Sequence, residues 1–237
     1  MAVCHLYLMG GFELREREVA VELPLASQRV LAFVALQRRQ VARSVAAGTL
    51  WPESTEARAA ANLRSALWRL RRPGVEIVRA TPTHLVLDGA VDVDVHRCAE
   101  LALGLLDGGL DPEPAFAADL QRFQAELLPE VWDAWLIVER ERMRQLHLHA
   151  LEHLTECYIG RGRHAEAVLA GLAAVVMDPL RESANRVLIA AHLAEGNRVE
   201  AIRRYRAYER LLADELAIDP SAELGRLVGA HATVMPR

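Results

Sequence analysis

Alternating hydrophobic and polar positions at the start of the chain predict short β-strands. Leu6–Met9 leads into Gly10-Gly11, a turn signal, and Phe12–Arg15 alternates apolar with polar side chains as a half-buried strand does. Val19–Leu23 follows and stops at Pro24. The pattern predicts a small antiparallel sheet of about three or four short strands.

After Pro24 the hydrophobic period becomes that of a helix. Ser27 is predicted to cap the first helix. Its apolar positions, spaced as on one helix face, are Val30, Leu31, Phe33, Val34 and Leu36. Ser44 is predicted to cap a second, short helix that runs to Leu50, and Gly48 within that helix lowers its expected regularity.

A third helix and a hairpin complete the first part of the chain. The helix is predicted from about Glu56 to Arg71 and is stopped by Pro73-Gly74. Its apolar stripe consists of Leu63, Ala66, Leu67 and Leu70. Val75–Val78 and Leu85–Leu87 are predicted strands joined by Thr81–His84, and Val91–Val95 is a further strand. A short helix, a turn, a longer basic helix and a β-hairpin in this order predict a winged helix-turn-helix.

Beyond Asp94 the pattern is helical throughout. The predicted helices cover His96–Leu106, Glu113–Leu128, Val131–Gly160, Arg163–Met177, Arg181–Glu195 and Arg198–Leu216. Gly162–Val168 resembles Gly196–Ile202 at an offset of 34 residues, which is the period of a tetratricopeptide repeat. We therefore predict an α+β winged helix-turn-helix at residues 1–94, followed at residues 95–237 by an all-α, tetratricopeptide-like helical-repeat domain.

Composition narrows the class of protein. The 237 residues are 52% hydrophobic and 25% charged, which is typical of a globular protein. Three widely spaced cysteines without a CxxC pair favour a reducing compartment. A signal peptide and an apolar stretch long enough to span a bilayer are both lacking in the sequence. We therefore expect a cytoplasmic, nucleoid-associated protein with no membrane partner.

Charge is divided unevenly along the chain, and every one of its 28 cationic side chains other than histidine is arginine. Residues 1–94 carry 12 arginines and 10 acidic residues, whereas the net charge of the whole chain is −4. The two predicted domains are therefore expected to face different partners. Arginine makes bidentate contacts with both phosphate and guanine.

The third helix carries the candidate nucleic-acid chemistry. Ala57–Arg72 contains five arginines and no acidic residue. The candidate DNA-contacting residues in and next to this helix are Asn62, Arg64, Ser65, Trp68, Arg69, Arg71 and Arg72. Arg79 in the hairpin, and Arg29 and Arg43 near other helix starts, are candidates for phosphate contacts. A solvated helix face and a Trp68 that packs against the hairpin are the structural alternatives.

Other chemistry has little support in the sequence. His149, His153 and Cys157 recur every four residues, a spacing that could hold a transition metal, but Leu146, Ala150 and Leu154 favour a packed helix face. The patterns GxxxxGK[ST], HExxH and GxSxG do not occur. We therefore expect no enzyme activity, no cofactor and no metal.

Several segments resemble the Streptomyces-antibiotic-regulatory-protein family, also called the AfsR-type regulators. The resemblance lies in Leu6–Leu14, in Leu50–Ser54 with Ala59–Arg72, and in three C-terminal runs, which are Glu139–Arg142, Asp178–Ala184 and Glu195–Leu216. It implies an OmpR-type winged helix joined to a bacterial transcriptional activator domain. Members of this family bind direct repeats in double-stranded promoter DNA, often in pairs, which implies a homodimer on DNA.

The resemblance also implies recruitment of RNA polymerase through its sigma or alpha subunits. The third helix would read DNA, and the loop of Trp51, Pro52, Glu53 and Ser54 would contact polymerase. The chain departs from the family at Ser44–Thr49, which lacks the acidic helix expected before Leu50. Two alternatives stay open. The helical repeats can bind a partner protein or ligand while the winged helix docks protein, or a small molecule can gate DNA binding.

Overall fold

The N-terminal strands pair in a four-stranded sheet of order β3-β2-β1-β7. In this computed structural model, which describes residues 4–71, 75–108 and 125–231, the strands are β1 (Cys4–Tyr7), β2 (Glu13–Glu16), β3 (Val19–Ala20) and β7 (Val91–Val93). β1 is antiparallel to β2, with Leu6 opposite Leu14, and parallel to β7, with Leu6 opposite Val93. These three side chains are buried, so the predicted small N-terminal sheet is confirmed and gains β7 as a parallel strand.

The next helices are α1 (Leu25–Leu36), α2 (Arg43–Leu50) and α3 (Glu56–Leu70). The two serine caps were wrongly predicted. Ser27 lies inside α1, is fully buried, and donates its hydroxyl to the carbonyl of Ala66 in α3 at 3.1 Å. α2 begins at Arg43, directly after β4 (Val41–Ala42), because the chain enters this helix from a paired strand.

The hairpin after α3 belongs to a second sheet of order β4-β6-β5. Its strands are β5 (Val78–Ala80) and β6 (His84–Leu87), so the predicted strand Val75–Val78 is displaced toward the turn. The turn explains the displacement, because Thr81 and His84 exchange hydrogen bonds, with 2.9 Å from the Thr81 N–H to the His84 carbonyl. In a hairpin the turn type and the loop length fix the register, so the turn at Thr81–His84 decides which residues of this run pair.

The predicted strand Val91–Val95 ends at Val93, because Asp94 begins helix α4 (Asp94–Leu106). The Asp94 carboxylate accepts the backbone N–H groups of Leu8, Met9 and Val95 at 2.7–3.1 Å. Burial raises the pKa of Asp94 from its ordinary value, and these hydrogen bonds oppose the rise. The side chain fastens the start of α4 to the end of β1.

The chain divides into two compact units, and each unit consists of two segments that are separated in the sequence. The first contains Met1–Cys98 and Ala125–Met143, and the second contains Ala99–Gln124 and Arg144–Arg237. Of the predicted helix Glu113–Leu128, residues 113–124 lie outside the described residues, and 125–128 are not helical. Leu127 instead bridges Met9, and the Leu128 N–H donates to the Leu8 carbonyl at 2.9 Å. The helix-only prediction beyond Asp94 is therefore wrong for this segment.

The remaining helices are α5 (Ala134–Gly160), α6 (His164–Met177), α7 (Glu182–Ala194), α8 (Arg198–Leu216) and α9 (Ala222–His231). One core cluster of the second unit brings Leu148 and Leu151 of α5 against Ala174 of α6 and Leu188 of α7. A second cluster joins α7, α8 and α9 through buried side chains, among them Tyr208. Within the described ranges, no helix combines the length and the apolar character needed to cross a membrane.

The two similar segments that lie 34 residues apart in the sequence begin with turns of the same geometry. Gly162 and Gly196 both adopt positive φ, at 70° and 85°, just after α5 and α7. In each turn the next residue donates its N–H five residues back, from Arg163 to Tyr158 at 2.9 Å and from Asn197 to His192 at 2.8 Å. Glycine adopts this conformation without the steric strain of a side chain, so both glycines end a helix in the same way.

Candidate nucleic-acid interface

Helix α3 is held by one apolar face. Ala59, Leu63, Ala66 and Leu70 are buried. The Thr55 hydroxyl accepts the Arg58 N–H at 3.4 Å, and Glu56 lies in the first turn, where a negative charge favours a helix. Buried positions spaced by three and four residues leave the opposite face of the helix to solvent.

The solvent face of α3 and the residue just after the helix carry five of the ten predicted DNA-contacting residues. Arg64, Ser65, Trp68 and Arg69 are exposed, and Arg71 is exposed at the end of the helix. Trp68 has 70% of its surface accessible, which excludes the interpretation of a buried packing residue. Asn62 is half-buried. Arg72 lies outside the described residues.

A groove of about 840 Å³ runs beside this face. Arg64, Trp68 and Arg71 line it from the α3 side, and Val78 and Ala80 line it from the hairpin. A second groove of about 460 Å³ lies between α2 and α3. Arg43 and Arg64 line both grooves, so cationic side chains stand where the two meet.

The charge of the arginines on the solvent face of α3 and just after the helix bears on what the face can bind. Within the described part of the chain, Arg64, Arg69 and Arg71 form no ion pair with a carboxylate. Uncompensated guanidinium groups on one exposed face attract a polyanion, and phosphate contacts need only such charge and reach. The face is therefore chemically suited to nucleic acid.

The prediction that Arg29 contacts phosphate needs a correction. Its guanidinium donates to both oxygens of Asp133, at 2.6 and 2.8 Å, and to the Leu50 carbonyl at 2.7 Å. A guanidinium held by three such bonds is not free to bind phosphate. Arg29 therefore has a structural role within the first unit.

The other two predicted phosphate contacts differ from each other. Arg43 is half-buried, and its guanidinium is 3.3 Å from the Thr81 carbonyl. Arg79 is exposed in β5, but its charge is compensated by a short hydrogen bond to Asp88 and by Glu76 at 3.5 Å. Hydrogen bonding to Asp88 raises the pKa of Arg79, and the Ala90 N–H together with Arg79 lowers the pKa of Asp88.

The predicted polymerase-contacting loop forms a tight turn between α2 and α3. The Ser54 N–H donates to the Trp51 carbonyl at 3.1 Å, and Pro52 and Glu53 are exposed at the tip. Trp51 is anchored by the Arg29 guanidinium, 6.0 Å from its ring centroid. The loop thus presents Pro52 and Glu53 outward.

The candidate metal-binding residues of α5 do not converge. His153 Nε2 lies 3.4 Å from Cys157 Sγ, whereas His149 Nδ1 faces the Arg181 guanidinium at 3.3 Å. Across residues 4–71, 75–108 and 125–231, no group of three or more His, Cys, Asp or Glu side chains is arranged to hold a metal ion.

One structural feature of the unit was missed by sequence reasoning. Arg29 is the one charged residue in the apolar helix Leu25–Leu36, and a lone charge in such a setting indicates a buried partner. That signal could have identified Arg29 as structural. No local pattern could have identified Asp133 as the partner, because 104 residues separate the two.

Comparison with known proteins relates both parts of the chain to regulators. Residues 93–230 match the family described as the bacterial transcriptional activator domain. Regulatory protein AfsR of Streptomyces coelicolor is 32% identical over 215 residues, which is 84% of this chain and 21% of that protein. Regulatory protein AfsR of Streptomyces griseus is 30% identical over 218 residues, which is 84% and 22% respectively. The chain thus spans about one fifth of the length of these relatives.

A solved structure shares the fold. Mycobacterium tuberculosis EmbR, in complex with a low affinity phosphopeptide, matches with a TM-score of 0.76 at 20% identity. The match covers 99% of this chain and 66% of the EmbR chain. The shared fold is a region with a small N-terminal sheet, followed by a helical region.

Proposed function

The chain belongs to the Streptomyces-antibiotic-regulatory-protein family of transcriptional regulators, and on that premise we propose that it binds specific promoter DNA and activates transcription. The observation that carries the proposal is the exposed face of α3, where Arg64, Arg69 and Arg71 have no carboxylate partner among the described residues. A cluster of arginines on one exposed helix face is the electrostatic footprint of a nucleic-acid-binding surface.

In the proposed architecture, the first unit is a winged helix-turn-helix. α2, the Trp51–Thr55 turn and α3 form the helix-turn-helix, and β5 with β6 forms the wing. α3 then enters the major groove, which is wide enough to admit a helix. The second unit is a tetratricopeptide-like helical repeat, supported by the equivalent glycine turns at Gly162 and Gly196.

The residues on the solvent face of α3 are proposed to make two kinds of contact, one with base edges and one with phosphates. We assign Arg64, Ser65 and Trp68, which are exposed on the solvent face, to contacts with base edges. Arg69 and Arg71 lie toward the helix end and suit phosphates, as does Arg43 beside the groove. Arg29 is left out of this set because Asp133 occupies its guanidinium.

Activation requires a contact with RNA polymerase as well as with DNA. We assign it to Pro52 and Glu53 at the tip of the turn between α2 and α3, where both are exposed. Binding of two copies to a direct repeat and function in the cytoplasm are part of the same proposal, which extends what the family resemblance implies.

A second candidate function is protein binding by the helical unit. Leu169, Leu172 and Val176 of α6 are exposed at spacings of three and four residues, so they form an apolar stripe along one helix face. Such a stripe fits a protein contact, either with polymerase or with another partner. If the first unit docks protein instead of DNA, this stripe becomes the main site of function.

Selection from random duplex DNA tests the proposal. The full chain is incubated with a pool of random duplexes, bound sequences are enriched over several rounds, and the affinity of the recovered site is measured at several salt concentrations. Enrichment of a direct repeat, with affinity that falls steeply with salt, is expected. Weak binding without enrichment would contradict the proposal and favour the protein-binding alternative.

A further inference from the structure

The exposed indole of Trp68 has a position that electrostatics alone does not explain. It is 70% accessible, and Trp132 is exposed as well, at 89%, whereas Tyr158 and Tyr208 are fully buried. It lies one helical turn from both Arg64 and Arg71, and all three line the groove between α3 and the hairpin. The apolar indole ring therefore faces the groove with a guanidinium group on either side of it.

The two arginines and the indole together indicate what chemistry a partner bound in this groove must have. Arg64 and Arg71 form no ion pair within the described residues, and together with Arg43 they outnumber Glu76, the one acidic residue among those that line the groove, so the groove favours an anionic partner. The indole offers apolar surface and a single donor, the Nε1–H, and has no acceptor. A matching partner must combine an anionic backbone with an apolar group and a nearby acceptor.

Thymine in the major groove of duplex DNA meets these requirements. It presents its C5-methyl group next to the O4 acceptor, whereas cytosine presents an N4 donor and no methyl group. A donor on the base would oppose the indole N–H, so the two pyrimidines are distinguished by both the methyl group and the hydrogen bond. Purines offer acceptors but no methyl group.

We propose that Trp68 is a specificity-determining residue that reads a thymine in each half of the DNA site, through its methyl group and O4. The inference rests on the proposed function, since it requires that α3 enters the major groove. The proposed function accounts for attraction of DNA by the arginines. The inference goes further and names the base that is read and the side chain that reads it.

Replacement of thymine by deoxyuracil tests the inference, because it removes the methyl group and leaves pairing and O4 unchanged. Each thymine of the selected site is replaced in turn, and Kd is measured for the full chain. For wild type we expect a loss of about fourfold at one position in each half-site, the factor that one buried methyl group contributes. In Trp68→Ala the same replacement is expected to have no effect.

Two variants make the test specific. Trp68→Phe keeps apolar surface but lacks the donor, so it should retain the deoxyuracil penalty and bind thymine more weakly than wild type. Arg64→Ala should bind more weakly overall and retain the full penalty, because its contacts are separate. Since Trp68 is exposed, Trp68→Ala should keep the thermal unfolding temperature of wild type.

The outcomes separate this inference from the proposed function. A deoxyuracil penalty that persists unchanged in Trp68→Ala, or the absence of a penalty at every thymine, would overturn the reading of thymine while leaving DNA binding intact. Tighter binding to single strands than to duplex, dependent on Trp68, would overturn it in favour of base stacking. Failure of wild type to select any duplex would remove both proposals.

Discussion

The guanidinium of Arg29 in α1 meets the carboxylate of Asp133 in a bidentate pair, with distances of 2.6 and 2.8 Å. The Trp135 indole N–H also donates to Asp133 at 3.1 Å, and its ring packs edge-on against Phe33 at 5.2 Å. Both members of the ion pair are about four-fifths buried, with 21% of each side chain exposed. These contacts make the segment before and at the start of α5 part of the first unit.

Removal of this pair should destabilise the first unit. We expect Asp133→Ala to lower the free energy of unfolding by about 1.5–3 kcal/mol, because it leaves a largely buried guanidinium without its counter-charge. Denaturant unfolding followed by tryptophan fluorescence measures the effect. Glu130→Ala, a nearby exposed position, is the control and should leave stability within about 0.5 kcal/mol of wild type.

A double-mutant cycle identifies the cause. If the pair acts as one unit, Arg29→Ala combined with Asp133→Ala should cost less than the sum of the single variants. Strictly additive effects would show that Arg29 and Asp133 stabilise the protein through separate contacts.

Two glycines in helices should respond to alanine in opposite directions. A Cβ at Gly171 in α6 would lie 3.1 Å from Leu188 Cα, so the backbone of α7 would have to give way by a few tenths of an ångström at this close crossing. Gly48 in α2 is exposed, and a methyl group added there would have no neighbouring atom within 4 Å. We expect Gly171→Ala to destabilise by about 1–3 kcal/mol and Gly48→Ala to stabilise by up to about 1 kcal/mol.

Thermal unfolding of the two variants checks this pair of predictions. Stabilisation by Gly171→Ala would show that α6 and α7 can move apart at little cost. Destabilisation by Gly48→Ala would show that α2 is less regular than its Arg43–Leu50 span indicates.

The Asp88 carboxylate should restrain DNA binding by the hairpin. Because Asp88 is the nearer of the two carboxylates that compensate Arg79, Asp88→Asn is expected to leave only Glu76 at 3.5 Å to hold that guanidinium, and so to make it more available to phosphate and raise affinity for DNA. The slope of log affinity against log salt should steepen by about 0.9, the contribution of one phosphate contact. The double variant Arg79→Ala with Asp88→Asn is the control and should lose this gain. An unchanged slope in Asp88→Asn would place Arg79 away from the DNA.

The same pair predicts a dependence of stability on pH. The pKa of Asp88 is lowered in the folded state by the Ala90 N–H and by Arg79. A lowered pKa means that the stabilisation is present above the ordinary value of 3.8 and is lost as pH falls through the folded value. The stability difference between wild type and Asp88→Asn should therefore shrink from about pH 4 downward. A difference that stays constant in thermal unfolding across this range would contradict the assignment.

The helices and most strands could be predicted because their patterns are local. The stripe of α3 recurs every three to four residues, and Leu63, Ala66 and Leu70 are buried as the period requires. Likewise, the glycine turns at Gly162 and Gly196 follow from a repeat that is visible in the sequence. Such features depend on neighbours a few residues apart.

What could not be predicted depends on distant partners. Ser27 looks like a helix cap, but it is buried because α1 packs on Ala66 of α3. The Arg29–Asp133 pair and the bridge of Leu127 with Met9 join segments more than 100 residues apart. Of the candidate site, the exposed α3 residues could be predicted from one helix face, whereas the neutralisation of Arg29 and Arg79 by carboxylates could not.

The salt dependence of DNA affinity tests the central proposal most directly. We would compare wild type with a variant that has alanine at Arg64, Arg69 and Arg71, using the duplex obtained by selection. The matched control has alanine at Arg206, Arg210 and Arg226, which are exposed in the second unit and carry the same total charge.

If α3 is the DNA-binding helix, the first variant should lose about 2 units of salt slope, from the phosphate contacts of Arg69 and Arg71, together with its preference for the selected site, while the control stays close to wild type. Equal losses in the two variants, or none in either, would contradict the account.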